Sequence, residues 1–135
     1  MTETAAQAPR PTPPPALVVK VTCGAEEPER CTQGLTVAAT ALASGARVSL
    51  WLTGGAVALA VRGAEGFELA HAADPLELLA AVLEAGPGEG QVTVCTQCAA
   101  RRGLEQDDLL PGVRVAGAAV FVAEALDPAA TALVY

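Results

Sequence analysis

Positive charge is scarce in this chain. Eight basic residues, a single lysine among them, face fifteen acidic ones, and the net charge is −7. A basic patch is what steers a protein to nucleic acid or to an anionic membrane surface, so neither partner is expected. Aromatic residues number four, which leaves the core to small aliphatic side chains. No apolar run approaches the roughly 20 residues of a membrane span. The longest, over 48–61, is interrupted by Thr53-Gly54-Gly55. A basic segment followed by an apolar one is missing from the N-terminus, which argues against a secretory leader and for the cytoplasm. Neither GxxxxGK[ST] nor GxGxxG after the first strand occurs, so Gly54-Gly55 is no phosphate cradle and no cofactor is expected. There is one histidine, His71. A lone loop histidine reads as solvated or structural rather than as a general base.

What the chain does contain is Ala, Val and Leu in quantity: 52% of its 135 residues are apolar. That is enough for one domain with one core. Residues 1–15 hold five prolines, at 9, 11, 13, 14 and 15. They read as a disordered or polyproline spacer, and 16–135 as the domain. Strands are expected at 17–22, 47–52, 91–94, 113–116 and 131–135, with a brief one at 67–69. Helices are expected at 29–43, 56–61, 75–85 and 117–126, the last with Val120, Phe121 and Ala125 facing inward. Asp74-Pro75 has the chemistry of a helix cap and first position. Strands alternating with helices argue for an α/β fold on a mainly parallel sheet of about five strands. In such sheets chemistry gathers beyond the carboxyl ends of the strands.

That edge is where the cysteines fall. Cys23 follows the first strand and Cys31 opens the first helix. Cys95 ends the strand at 91–94, and Cys98 lies on the short helix after it. The stretch QVTVCTQCAARRGL (91–104) therefore puts a CxxC where a strand hands over to a helix. The first free amides of a helix favour an anion, and a thiolate is the reactive form of cysteine. Cys95 is the expected nucleophile, with the Thr96 hydroxyl as a possible helix cap and the Gln97 amide nearby. Cys98 is the expected resolving thiol. Arg101 and Arg102, about two turns on, read as surface charges at a helix C-terminus. The competing reading is structural zinc. Cys95-x2-Cys98 has ligand spacing, whereas Cys23-x7-Cys31 is unusually wide; the expectation is no metal. Trp51 reads as core or subunit interface. Glu26, Glu27, Glu29, Asp107 and Asp108 read as solvated loops.

Several stretches together resemble the DsrE/DsrF-like sulfur-relay family. They are LVVKVT (17–22), ALASGARVSLWLTGGAV (41–57), VTVCTQCAARRGL (92–104) and LLPGVRVAGAAVFVAEAL (109–126). The resemblance implies a three-layer α/β/α sandwich, assembled as a homo-trimer or hexamer. It implies a sulfurtransferase-like carrier in which Cys95 accepts sulfane sulfur as a persulfide from a donor protein and passes it to an acceptor. The best-known relay subunits of that family work with one cysteine at the position of Cys95, so Cys98, Cys23 and Cys31 are additions. The alternative is a non-catalytic assembly subunit, or a thiol-redox or zinc-stabilised module.

Overall fold

The computed structural model describes residues 14–135; the expectation for the proline-rich tail falls largely outside them. Five strands form one sheet: β1 (Ala16–Val21), β2 (Arg47–Leu52), β3 (Gly90–Cys95), β4 (Arg114–Ala116) and β5 (Ala130–Val134). Their spatial order is β4-β3-β2-β1-β5, and every pairing is parallel. The helices are α1 (Pro28–Ala43), α2 (Pro75–Ala85), α3 (Thr96–Arg101) and α4 (Ala118–Ala125).

Connection handedness explains the layers. From β1 to β4 the chain steps always in one direction, so right-handed crossovers put α1, α2 and α3 on one face. The step from β4 back across to β5 runs the other way, and α4 lands on the opposite face. Three layers result.

The two faces differ chemically because strand side chains alternate. Val19, Leu50 and Val92 lie in one register row, and Val21, Leu52 and Val94 two rows along. All six are buried in the main core with Cys31, Leu35 and Ala38 of α1 and Leu79 and Val82 of α2. α2 starts cleanly, since the Asp74 carboxylate accepts from the Leu76 amide at 2.8 Å. The opposite face carries the row Lys20, Trp51, Thr93 and Arg114.

That polar face fixes α4. The Glu124 carboxylate accepts from the Ser49 hydroxyl, from Trp51 Nε1 at 3.1 Å and from Arg114 Nη2 at 2.6 Å. Arg114 also donates to Thr93 at 2.9 Å. Phe121 meets Trp51 edge-on, with ring centroids 5.4 Å apart, and Lys20 Nζ sits 4.5 Å from the centre of the Phe121 ring. Trp51 is therefore core. The inward face expected for the last helix is corrected accordingly. Phe121 and Glu124 face the sheet and Ala125 is half-buried, while Val120 is 40% exposed. A carboxylate with three donors waiting on the sheet outweighs the burial of one valine in setting the rotation of the helix.

Two further expectations shift. Residues 67–69 form no strand; nothing pairs with them, and an extended segment without a ladder partner is a loop. The short helix expected at 56–61 is a 3-10 helix, Gly54–Ala60.

Candidate functional site

Three loops meet at the carboxyl edge of the sheet. β1 and β2 stay paired to their ends, the Thr53 amide donating to the Val21 carbonyl at 2.9 Å. Beyond that point the chain turns at Gly54, whose φ of +53° suits glycine. A Cβ there would lie 2.5 Å from the Thr22 carbonyl oxygen. The turn aims the Gly54 amide across at β3, where it donates to Cys98 Sγ at 3.3 Å. On its other side Gly55 packs against Gly24: a Cβ on Gly24 would lie 2.5 Å from the Gly55 carbonyl oxygen. The Glu26 carboxylate closes this loop by accepting from the Gly24 amide at 2.9 Å.

Cys95 is the last residue of β3 and caps α3, with φ −63° and ψ 130°. Thr96 is the first helical residue, so its hydroxyl is not the cap that its side chain suggests. Cys95 is half-buried and Cys98 is buried, with 8% of its surface exposed. The Cys95 thiol donates to Gln97 Oε1 at 3.3 Å. Its pKa is lowered. Desolvation is the largest influence and acts upward. The amide of Cys98, the Cys98 thiol, the Gln97 amide and the charge of Lys20 together outweigh it. The two amides close no capping hydrogen bond with the neutral thiol; their stabilisation goes to the thiolate.

Arg101 and Arg102 are exposed at the C-terminal end of α3, as the sequence suggests, and both also reach back to Cys98. Arg101 Nη1 approaches Cys98 Sγ at 3.9 Å, and Arg102 Nη1 donates to the Cys98 carbonyl at 3.1 Å. A residue three positions on in a helix shares a face, which is the signal that finds Arg101. Topology puts Thr53-Gly54-Gly55 on the same sheet edge as Cys95, but nothing in the sequence singles out the Gly54 amide, and nothing marks Lys20 as a neighbour of these thiols.

All four cysteines do lie at this edge, but as two pairs. Cys23 Sγ donates to the Glu27 carbonyl at 3.8 Å, and Cys31 is fully buried beneath it. Burial pushes the Cys31 thiol up to about 12, helped by Cys23 and Glu26. Cys23 is also raised, by burial first and then by Glu26 and Glu27 against the pull of Arg30. Among the described residues no three or more Cys, His, Asp or Glu side chains converge as a metal site. His71 is exposed, in the left-handed region at φ 61°, and lines a groove with Tyr135 and α1 rather than the thiol edge.

Residues 16–133 match the model of the DsrE/DsrF-like family. The chain belongs to the DsrE/DsrF-like family. Among solved structures, this DsrE/DsrF-like chain is similar to the crystal structure of the YchN protein from E. coli. The TM-score is 0.72 at 20% identity, covering 90% of this chain and 99% of that one. It is also similar to a protein of unknown function, MTH1491 from Methanobacterium thermoautotrophicum. There the TM-score is 0.65 at 15% identity, covering 89% and 98%. At these identities the likeness is one of fold, and it bears out the parallel α/β sandwich. No curated protein matches. For a DsrE/DsrF-like chain a role in sulfur relay is the general expectation, and no helix among the described residues is long and apolar enough to cross a membrane.

Proposed function

We propose that this protein is a cytoplasmic sulfur carrier in which Cys95 accepts sulfane sulfur as a persulfide and hands it to a partner protein. The carrying observation is the environment of the Cys95 sulfur: half-exposed at the carboxyl edge, with two amides, a neighbouring thiol and Lys20 lowering its pKa. A carrier needs a thiolate to take up sulfur and donors to hold the terminal sulfur anion, and both requirements fall on the same groups. Family membership supports the class of chemistry.

The test uses the Cys98→Ser chain, in which no second thiol competes for the sulfur. With one equivalent of glutathione persulfide its intact mass should rise by about 32 Da, one sulfur atom. The doubly substituted Cys95→Ser, Cys98→Ser chain should gain nothing. Absence of uptake in Cys98→Ser would overturn the assignment.

A second reading stands beside the first. Val122 and Leu126 of the outer α4 surface are 48% and 77% exposed, and Val134 on edge strand β5 is 63% exposed. Apolar side chains grouped on one small face favour burial against another copy of the chain, as a homo-trimer or hexamer. The same protein can be both carrier and assembly subunit.

A further inference from the structure

Persulfide chemistry at Cys95 leaves Cys98 unexplained, because a simple carrier needs no second thiol. Cys98 sits three residues along, at the N3 position of the turn that Cys95 caps, where side chain and cap come together. Its thiol is among the neighbouring groups that lower the pKa of Cys95. Two further N–H groups converge on its sulfur from separate parts of the chain, the Gly54 amide at 3.3 Å and Arg101 Nη1 at 3.9 Å. Access is unequal: Cys95 is half-exposed and Cys98 is 8% exposed. A bulky donor meets Cys95, whereas the natural target of Cys98 is Cys95 itself.

We propose that Cys98 discharges the persulfide of Cys95, making the pair a dithiol that reduces sulfane sulfur to hydrosulfide when no acceptor takes it. This rests on the reading of Cys95 as the acceptor. Cys98 Sγ, as thiolate, attacks Cys95 Sγ. The bond between Cys95 Sγ and the terminal sulfur breaks, and its electron pair leaves with that sulfur as hydrosulfide. The Cys98 proton passes to solvent or to the departing sulfide. The sulfane sulfur gains two electrons and the two thiols lose two as the Cys95–Cys98 disulfide forms, so this step draws on no outside oxidant or reductant. Resetting the pair takes one equivalent of a dithiol reductant, which is oxidised to its own disulfide. The Gly54 amide and the Arg101 guanidinium are positioning groups that fix the attacking sulfur at the sheet edge.

The experiment is a single turnover without oxygen, with fully reduced protein and one equivalent of glutathione persulfide. Free sulfide and intact mass are followed in parallel. Wild type should release close to one equivalent of sulfide and end about 2 Da lighter than the reduced chain, the disulfide state. Adding dithiothreitol should restore the starting mass. The Cys98→Ser chain should keep its added sulfur and release sulfide at least roughly tenfold more slowly. Should wild type instead retain the added sulfur as long as Cys98→Ser does, with no disulfide, the discharge proposal falls while the carrier reading stands. If Cys98→Ser takes up no sulfur at all, both fall. The wild-type arm needs no substitution, so a folding defect in the variant cannot rescue the idea.

Discussion

Replacing Glu124 with alanine is the sharpest probe of the polar sheet face. One carboxylate receives the Ser49 hydroxyl, the Trp51 indole N–H and the Arg114 guanidinium. A hydrogen bond to a charged group contributes about 1.5–3 kcal/mol, and a buried donor left unpaired costs about 1–3 kcal/mol. The three bonds are not additive, and the Arg114–Glu124 pair is partly solvated, with side chains 34% and 24% exposed. Arg114 and Ser49 therefore recover water when the carboxylate goes. Trp51 is only 1% exposed and does not. The expected loss is about 3 kcal/mol, read as a fall in the urea midpoint at unchanged slope. Glu124→Gln keeps an acceptor and should lose roughly half as much. The acid limb supplies an independent check. Burial opposes ionisation of Glu124, but the bonds from Ser49, Arg114 and Trp51 and the Arg114 charge prevail and hold its pKa below the usual value. Its stabilisation is thus present above the unfolded carboxylate pKa and lost as pH falls through the folded one. That part of the pH dependence should be absent from Glu124→Gln. A loss below about 0.5 kcal/mol in Glu124→Ala would refute this account of how α4 is held.

Two further outcomes are expected. Cys31 ionises near 9 when unfolded and only at about 12 when folded. Its contribution is therefore fully present below pH 9 and is lost as pH rises toward 12, by at most about 1.4 kcal/mol per pH unit; urea titrations of wild type and Cys31→Ala between pH 8 and 11 should converge, and parallel curves would contradict it. For the assembly reading, wild type should sediment as an oligomer, and Val122→Glu with Leu126→Glu should dissociate it with the helical circular dichroism intact; a monomeric wild type would remove that reading.

Much of the fold was legible because each strand announces itself. LVVKV, VSLWL and QVTV are β-branched or aliphatic runs closed by Cys23-Gly24, Thr53-Gly54 and the CxxC. Asp74-Pro75 marked the start of α2 to the residue. Residues 67–69 misled because alternation says nothing about whether a partner strand lies alongside. Val120 misled because helical periodicity ranks residues by hydrophobicity alone. The rotation of α4 is set instead by Ser49, Trp51 and Arg114, which are 75, 73 and 10 residues away from Glu124. At the candidate site, strand-end position and CxxC spacing single out Cys95 and Cys98 as the proposed acceptor and resolving thiols. The Gly54 amide is a backbone group 44 residues from Cys98, and side-chain chemistry gives no sign of it. Spacing already sorts the four thiols into Cys23-x7-Cys31 and Cys95-x2-Cys98; whether the two pairs converge at their common edge is decided by packing, which the sequence does not show.

The Gly54-Gly55 backbone carries a consequence for that division. It lies against Cys98 on one side and against the Gly24 loop beside Cys23 on the other. A protein that handles reactive sulfur with four cysteines runs the risk of scrambling, in which a sulfur atom or a disulfide migrates to the wrong thiol. Here two residues without side chains serve as a thin partition, with Cys98 on one side and, on the other, the Cys23 loop, where burial keeps the Cys23 and Cys31 thiols neutral. On the proposed carrier reading, Cys23 and Cys31 fill the interior while sulfur traffic stays with Cys95 and Cys98 at the rim.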